Sequence, residues 1–350
     1  ATMLRPRSGW EGRRCCSISC AAMSSGGDGK SGGETKQKLL GGVYHRSQRR
    51  EPLGEGSFAK VYEGMNKDTR ELVAIKMVSW EKLERQQPRY VQRHKQQLRN
   101  EISCLQSLNH PNIVRLLHHQ NTPKWFIMVL EFCAGGDLAQ AIKRRRSAPV
   151  DEGTARYLIK QLADGLKAMR RLNWVHRDLK PGNLLLSCED ISHAILKIGD
   201  FGFARDLAPQ SLAETWVGSP LYMAPEILTR DSGGYDAKAD LWSVGCVLFE
   251  LVMGKQPYGS RAGSHLELME DIKGDRKYKP DPPIHVSPAC DSLLGGLLQR
   301  LPAQRMSYDE FFTAPWLSPD PQPHPLSSSA SSQGVNNLLS MIMSQQNAPP

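Results

Sequence analysis

The feature that most constrains this chain is a nine-residue stretch at 175–183, Val-His-Arg-Asp-Leu-Lys-Pro-Gly-Asn. It places a carboxylate at Asp178, a cation at Lys180 and an amide at Asn183, which are the offsets of the catalytic loop H-R-D-L-x-x-x-N. A phosphoryl-transfer site needs a carboxylate to orient the attacking hydroxyl, a cation near the moving phosphoryl group and an amide oxygen for a metal ion. The alternative is a polar surface turn. Any three of these residues could occur in such a turn by chance, but a match of all nine positions favours the catalytic loop.

Composition indicates a folded chain of one large or two ordinary domains. Its 350 residues are 39% hydrophobic and 23% charged, so a sizeable core can form. The net charge of +9, from 45 Lys and Arg against 36 Asp and Glu, would suit nucleic acid, a membrane surface or an acidic partner. The basic runs are short and lack interleaved aromatic residues, so we expect no nucleic-acid binding.

Cysteine spacing and hydropathy bear on the compartment. The eight cysteines lack the C-x-x-C spacing of a zinc site, which favours a reducing intracellular environment. The most apolar run, 241–253, is too short to span a bilayer and is predicted to be a buried helix ended by Gly254. We therefore expect at most peripheral membrane association. Residues 1–43 are predicted to be a disordered extension, with an organelle transit peptide as the alternative.

A glycine-rich turn precedes the loop at 175–183 and suits a bound triphosphate. Residues 44–64 are predicted to form a hairpin, and Gly54 and Gly56 in its turn let backbone N–H groups face phosphate oxygens. Val61 would then cover the adenine. Ala59 replaces the third glycine of G-x-G-x-x-G, and by itself such a turn is weak evidence.

A strand ending in Val-Ala-Ile-Lys brings Lys76 towards the same site, where it would pair the α- and β-phosphates. The alternative is a solvated lysine at the end of a strand. Residues 89–108 can run as a helix, and Glu101 on it is the natural partner of Lys76, with Glu84 a second candidate. The spacing from Lys76 to Glu101 is long, and we expect a basic loop over about 86–96.

Two strands and a helix are predicted between these motifs and the loop at 175–183. The strands cover 113–117 and 125–130, and residues 131–133 would connect the two parts of the fold and present backbone groups to the adenine edge. Leu130 would lie at the back of the nucleotide pocket. Residues 154–172 have apolar positions at helical spacing, which gives the loop a rigid support.

After the loop, residues 184–186 and 195–198 are predicted to form a hairpin that leads to Asp200-Phe201-Gly202. Asp200 would chelate Mg²⁺ between the β- and γ-phosphates, and Asn183 would hold a second ion. Ala224-Pro225-Glu226 closes a segment of the length expected for an activation loop.

Together these motifs make residues 44–317 resemble a eukaryotic protein kinase domain, because they occur in that family's order and spacing. The resemblance implies an α+β, bilobal protein kinase fold. The N-terminal lobe, about 44–132, would hold a small antiparallel β-sheet and one helix, and the larger C-terminal lobe, about 133–317, would be mainly helical. Residues 318–350 are predicted to be a Pro- and Ser-rich linker or tail.

The resemblance also implies ATP and Mg²⁺ as cofactors and protein substrates as partners. Asp178 and Lys180 would be catalytic, and Asn183 and Asp200 would hold the metal. The residues expected around the nucleotide are Leu53, Gly54, Glu55, Gly56, Ser57, Val61, Ala74, Lys76, Glu101, Glu131 and Cys133.

Three further features of the family match residues of this chain. Asp240 would support the backbone of the catalytic loop, and Arg305 would pair with Glu226. Lys180 and the Gly-Ser-Pro sequence at 218–220 resemble serine/threonine rather than tyrosine kinases.

Residues 200–205 and 212–226 are similar to the autophagy-initiating, ULK-type kinases, and residues 235–245 are closest to their plant and algal members. That resemblance implies Thr215 as an activating phosphosite whose charge pairs with Arg177. It also implies autophagy-initiation scaffold proteins as partners, and a cytoplasmic protein recruited to sites of autophagosome formation.

The long spacer and C-terminal partner-binding region usual in those kinases is missing after Leu317, so a fragment and a shortened relative both stay open. Two other functions stay open too. One is a serine/threonine kinase of another pathway, because fold and motif do not define a pathway. The other is a nucleotide-binding pseudokinase scaffold, which the loss of Asp178, Lys76 or Asp200 would have favoured.

Overall fold

Two lobes make up the protein, an antiparallel sheet with two helices and a larger, mainly helical part. This is the α+β, bilobal arrangement expected from the sequence. The computed structural model describes residues 3–4, 40, 42–47, 51–56, 58–206, 220–229, 237–259, 265–273 and 285–318. Two predicted site residues, Ser57 and Thr215, lie outside this described part.

The sheet of the N-terminal lobe is antiparallel throughout its pairings. Its strands are β1 (Met3–Leu4), β2 (Tyr44–Arg46), β3 (Gly54–Glu55), β4 (Ala59–Asn66), β5 (Leu72–Ser79), β6 (Leu116–Asn121) and β7 (Trp125–Glu131). They lie in the order β1-β3-β4-β5-β7-β6, with β2 also on β4. In place of the single hairpin predicted over 44–64, two preceding strands pair with β4. Strand β3 pairs with the beginning of β4, and β2 pairs with the end of β4.

A short helix that the sequence analysis did not anticipate follows β5. This helix, α1 (Trp80–Glu84), begins after Ser79, whose hydroxyl accepts a hydrogen bond from the backbone N–H of Lys82 at 3.3 Å. Such a cap satisfies one of the N–H groups that a first helical turn leaves without a partner. The described residues of the N-terminal lobe thus contain two helices where one was expected.

The long helix of this lobe, α2 (Pro88–Ser107), begins with a proline, where a missing backbone N–H costs nothing. Our expectation of a loop over 86–96 is wrong, because residues 88–96 form the first turns of this helix. Two of its rings pack edge-on against Phe58, those of Tyr90 and His94, with centroids 5.8 and 5.3 Å away. These contacts hold the start of α2 against the sheet.

The strand predicted over 113–117 begins later, at Leu116. Ile113 and Val114 contact the C-terminal lobe instead. Ile113 forms a parallel bridge with Ile198, and the N–H of Val114 donates to the carbonyl of Ile198 at 2.9 Å. The connection after α2 is therefore attached to both lobes.

The C-terminal lobe is built mainly from helices. Its elements are β8 (Gly136–Asp137), α3 (Leu138–Arg144), α4 (Glu152–Arg171), β9 (Trp174–Val175), β10 (Leu184–Leu186), β11 (Leu196–Ile198), β12 (Arg205–Asp206), α5 (Pro225–Thr229), α6 (Lys238–Met253), α7 (His265–Lys273), α8 (Pro288–Leu297) and α9 (Tyr308–Phe312). The strands form two small sheets, ordered β11-β10-β8 and β12-β9. As predicted, β10 and β11 pair as an antiparallel hairpin before Asp200, and α4 leads to the loop at 175–183.

Helix α6 forms the centre of the C-terminal core, and every residue from 239 to 253 is buried. The helix ends at Gly254, as predicted, with φ of 70° in the left-handed region. A Cβ at this position would collide with the carbonyl of Ser147, so only glycine fits. Within the described ranges, we find no helix with both the length and the apolar character needed to cross a membrane.

Candidate active site

Lys76 connects three elements of the protein through two ion pairs. Its Nζ lies 2.6 Å from Glu101 Oε1 on α2 and 3.2 Å from Asp200 Oδ1, which follows β11. Burial disfavours the charge of Lys76, but the carboxylates of Asp200 and Glu101 outweigh it and raise its pKa. The predicted pairing with Glu101 is confirmed, and the second candidate, Glu84, pairs with Lys95 at 3.3 Å.

Asp200 has a backbone conformation that is uncommon outside glycine. Its φ is 55°, in the left-handed region that Asp tolerates better than most residues. The charge of Lys76 lowers the pKa of Asp200 to about 2, against the opposing effect of burial. Asp200 is therefore an ionised carboxylate at every physiological pH.

The loop at 175–183 brings the three predicted catalytic and metal-binding side chains into contact. Lys180 Nζ lies 2.6 Å from Asp178 Oδ2. The amide nitrogen of Asn183 donates to the backbone oxygen of Asp178 at 2.7 Å and to its Oδ2 at 2.9 Å. Asp178 and Asn183 are both buried, so the carboxylate predicted to orient a hydroxyl is itself oriented by two neighbours.

Asp240 on α6 supports the backbone of this loop, as predicted. Its Oδ2 accepts the N–H of His176 at 2.8 Å, and its Oδ1 accepts the N–H of Arg177 at 2.9 Å. Arg177 has a φ of 71°, a conformation that costs energy for a residue with a side chain. The buried carboxylate of Asp240 stabilises this unfavourable backbone.

His176 contributes to the site in a way that our sequence analysis missed. Its Nε2 lies 3.0 Å from the carbonyl oxygen of Gly199, and its Nδ1 accepts the N–H of Asp178 at 3.3 Å. Because a carbonyl can only accept, the neutral ring carries its proton on Nε2. The ring therefore ties the backbone at Asp178 to the residue before Asp200. The available signal was its place in the His-Arg-Asp motif.

The predicted phosphate-binding turn joins β3 to β4. The N–H of Leu53 donates to the carbonyl of Val61 at 2.7 Å, and the N–H of Gly56 donates to that of Ala59 at 2.8 Å. Glu55 points outward and pairs with Lys60 at 2.9 Å. The turn is thus closed by backbone bonds on both sides.

The residues predicted to contact the base lie on neighbouring strands. Val61 of β4 is opposite Gly54 of β3 and opposite Lys76 of β5. Ala74 of β5 is opposite Leu130 of β7. The sheet therefore brings the glycine turn, Lys76 and the end of β7 together, although they are far apart in the sequence.

Glu131 and Cys133 mark the passage from β7 to the C-terminal lobe. Glu131 is the last residue of β7, and Cys133 is half-buried two residues later. Burial raises the pKa of the Cys133 thiol to about 12, so it remains a thiol at neutral pH. Both residues lie where the sequence predicted the connection between lobes.

The donor atoms of Asn183 and Asp200 suit a magnesium ion. Mg²⁺ prefers oxygen ligands, which an amide and a carboxylate supply. The Asn183 nitrogen is turned toward Asp178, so its oxygen lies on the other side of the amide group. Asp200 contacts Lys76 through Oδ1, which leaves Oδ2 for a cation. The predicted residues thus fit the predicted ion.

Arg305 and Glu226 form the predicted buried pair. Two parallel contacts join them, Nη1 to Oε1 at 2.8 Å and Nη2 to Oε2 at 2.9 Å. Arg305 is 1% exposed. Its ion pair connects the start of α5 to the segment between α8 and α9. The predicted phosphosite, Thr215, precedes this segment and lies outside the described residues.

Comparison with known proteins points to the same kind of site. The profile of the protein kinase domain matches residues 47–317. "Serine/threonine-protein kinase ATG1b" of Arabidopsis thaliana is 44% identical over 267 residues, which cover 76% of this chain and 36% of that protein. "Serine/threonine-protein kinase atg1" of Dictyostelium discoideum is 44% identical over 269 residues, covering 76% of this chain and 38% of that protein.

The fungal relative from Aspergillus clavatus, also named serine/threonine-protein kinase atg1, is 40% identical over 317 aligned positions, covering 76% of this chain and 33% of that protein. The chain thus spans about a third of the length of the curated relatives it matches, between 33% and 38%. The family match, in contrast, covers most of the chain and includes every described residue of the site. On this match and this geometry, the chain belongs to the protein kinase family.

Proposed function

We propose that this chain transfers the γ-phosphoryl group of ATP to Ser or Thr hydroxyls of protein substrates. The observation that carries the proposal is the contact of Lys76 Nζ with both Glu101 and Asp200, at 2.6 and 3.2 Å. Asp178 and Lys180 add a carboxylate and a cation in direct contact at 2.6 Å. A pseudokinase scaffold would not need this complete set of charged groups.

In this proposal Asp178 orients the substrate hydroxyl and accepts its proton as the oxygen attacks the γ-phosphorus. The bond from that phosphorus to the oxygen it shares with the β-phosphate breaks, and ADP leaves. The contacts of Asp178 with Lys180 and Asn183 hold it before substrate arrives, so little ordering is left for the reaction itself. Lys180 neutralises charge that develops on the transferred group. Lys76, held by Glu101, binds the α- and β-phosphates.

When bound, Mg²⁺ would supply positive charge that offsets the charge of the phosphates. Asn183 and Asp200 are the residues that would hold it. Because the pKa of Asp200 is about 2, its carboxylate needs no deprotonation before a cation binds. The glycine turn from Leu53 to Val61 would cover the phosphates and the adenine.

Specificity for Ser and Thr is proposed from two features. Lys180 follows the catalytic Asp by two residues, and a Gly-Ser-Pro sequence stands at 218–220, as in serine/threonine kinases. The relatives from Arabidopsis thaliana, Dictyostelium discoideum and Aspergillus clavatus are named as serine/threonine kinases.

We further propose that the protein acts in the cytoplasm at the start of autophagy, recruited to sites of autophagosome formation, with scaffold proteins of that process as partners. This is supported by the resemblance to ULK-type kinases and by the relatives named ATG1 and atg1. The alternative is a serine/threonine kinase of another pathway, because the match reaches only 33% to 38% of these relatives.

Phosphate transfer from labelled ATP tests the reaction. The unaltered chain is incubated with Mg²⁺ and a generic Ser/Thr substrate, beside Asp178→Ala and a control, Asp190→Ala, whose side chain is 61% exposed on a surface loop. We expect labelling of Ser and Thr in the first and third samples and at least about a hundredfold less with Asp178→Ala. Nucleotide binding without labelling in any sample would contradict a catalytic function.

A domain replacement tests the pathway. Residues 47–317 replace the matching segment of the Dictyostelium discoideum relative in cells lacking that kinase, with an Asp178→Ala version as control. We expect the active version alone to restore autophagosome formation on starvation. Active phosphate transfer without restoration would favour the alternative pathway.

A further inference from the structure

Lys197 on β11 makes contacts that the proposed mechanism does not use. It lies three residues before Asp200, and its Nζ is 3.0 Å from Glu131 Oε2. The same Nζ donates to the carbonyl oxygen of Pro111 at 2.8 Å. The two side chains of the ion pair are only 15% and 20% exposed, so solvent and salt screen it less than an ordinary surface pair.

Glu131 has both carboxylate oxygens engaged. While Oε2 faces Lys197, Oε1 accepts the backbone N–H of Arg115 at 2.7 Å. The backbone N–H of Glu131 donates in turn to the carbonyl of Arg115 at 3.0 Å. The end of β7 is therefore held to the start of β6 as well as to β11. These contacts give the Glu131 side chain one orientation.

The Lys197 ammonium thus connects its own strand to two other segments. Pro111 belongs to the connection after α2, the helix that carries Glu101. Glu131 ends β7, where the predicted contacts to adenine begin, and Lys197 belongs to the strand that leads to Asp200. Each segment supports a different part of the proposed nucleotide site.

Backbone bonds join the end of β7 to β11 indirectly, through the connection after α2. The N–H of Ile198 donates to Asn112 and that of Val114 donates to Ile198, both at 2.9 Å, which attaches the connection after α2 to β11. Neither bond reaches Glu131. The end of β7 meets the same connection at Arg115, through the backbone N–H of Glu131. The Lys197 side chain adds a direct contact between β11 and the end of β7.

We propose that Lys197 is a positioning residue for nucleotide binding, which sets the separation between the adenine end of the site and Asp200 through its ion pair with Glu131. The inference rests on the proposed function, because the two ends of the nucleotide are assigned there. A nucleotide bridges both ends, so a site that is already at the right separation binds it without having to order the two lobes first.

The test compares ATP affinity in four variants of the full chain. Lys197→Met keeps the length of the side chain without its charge, and Lys197→Arg keeps the charge. Glu131→Gln keeps an oxygen for the N–H of Arg115, and the fourth variant combines Lys197→Met with Glu131→Gln. The control, Arg85→Met, breaks an exposed ion pair with Glu81, whose side chains are 72% and 76% exposed.

Titration calorimetry gives the Kd for Mg·ATP, and thermal unfolding gives stability. We expect Lys197→Met and Glu131→Gln each to weaken ATP binding by about fivefold to fiftyfold, and the double variant to be no weaker than the weaker single one. Lys197→Arg should retain most of the affinity, and Arg85→Met should equal the reference. In steady state the loss should appear in KM for ATP rather than in kcat.

An unchanged Kd in Lys197→Met with a lowered melting temperature would overturn the inference and leave a structural role. Equal weakening by Arg85→Met, or additive losses in the double variant, would also overturn it. If the reference chain binds Mg·ATP but transfers no phosphate, the proposed function fails while the Kd comparison still decides this inference. A reference chain that binds no Mg·ATP would overturn both.

Discussion

Lys76 lies between two carboxylates that differ in distance and in exposure. Glu101 is nearer, at 2.6 Å, and its side chain is 2% exposed, whereas Asp200 is at 3.2 Å and 24% exposed. The buried partner therefore determines where the ammonium lies. Asp200, which solvent reaches, can give up part of its contact with Lys76 when a cation binds.

Replacing Glu101 with Gln tests this division. A neutral amide holds an ammonium less strongly, so we expect Lys76 to move toward Asp200 and away from the phosphates. Phosphate transfer should fall by roughly tenfold or more in kcat/KM, which is about 1.4 kcal/mol of transition-state stabilisation. Steady-state kinetics at varied ATP concentration measures it.

Glu84→Gln is the matched control for that experiment. Glu84 is 58% exposed and pairs with Lys95 at 3.3 Å, so its loss should leave kcat/KM within about twofold of the reference. A greater effect from Glu84 than from Glu101 would show that the ion pair with Glu101 is not the one that the reaction depends on.

At the scale of elements, Glu152 joins three parts of the C-terminal lobe. It opens α4, and its oxygens accept the backbone N–H and the hydroxyl of Ser287, before α8, at 2.8 and 2.6 Å. The indole N–H of Trp316 donates to it at 2.6 Å. One carboxylate thus connects residues up to 164 positions apart in the chain.

The pKa of Glu152 predicts how this junction responds to acid. Burial opposes its ionisation, but the hydrogen bonds from Ser287 and Trp316 outweigh burial and hold the pKa below its ordinary value. A lowered folded-state pKa adds stability above the unfolded-state pKa, about 4.3, and that stability is lost as pH falls through the folded-state value.

Glu152→Gln should therefore lower the melting temperature by a nearly constant amount above about pH 5, and the difference from the reference should shrink below about pH 4. Scanning calorimetry from acid to neutral pH measures this, with the exposed Glu189→Gln as a control for loss of charge. A difference that grows on acidification would contradict the proposed role of the carboxylate.

The sequence predicts contacts between residues that stand in motifs, and it does not predict contacts such as those of Glu152. Lys76 and Glu101 stand in motifs whose order predicts their pairing, whereas the contact of Lys76 with Asp200 was not predicted. Glu152 and Lys197 stand in no motif, and their partners are distant in sequence. The helix predicted over 89–108 agrees with α2 to within one residue at each end, but the long spacing before Glu101 does not indicate a loop, because a proline also begins a helix.

The strand boundary at Leu116 was missed for a related physical reason. Residues 113 and 114 are apolar and buried, as in a strand, but their pairing partner is Ile198 in the other lobe. The local sequence pattern indicates that a residue is buried, but it does not indicate which part of the protein the residue packs against. The overall α+β architecture, in contrast, followed from motifs spread along the whole chain.

For the whole molecule, the described contacts of the site lie between residues 53 and 305, apart from the pairing of Met3 and Leu4 with Glu55 and Gly54. That pairing is at the edge of the sheet, so we predict that the segments beyond 40–318 are dispensable for chemistry. A chain of residues 40–318 should fold and transfer phosphate with kcat/KM within about threefold of the full chain. Circular dichroism and the labelled-ATP assay measure this. A folded but inactive short chain would show that one of the terminal segments contributes to the site.

The support of residues 176 and 177 by Asp240 has a consequence for the order of assembly. The left-handed backbone at Arg177 is stabilised by a carboxylate on α6, 63 residues later in the chain. During synthesis the catalytic loop therefore leaves the ribosome before the helix that shapes it, and it can adopt its working form only after α6 has docked. In mild denaturant, enzyme activity should disappear before helical content does, because undocking α6 disables the loop while the helices themselves persist.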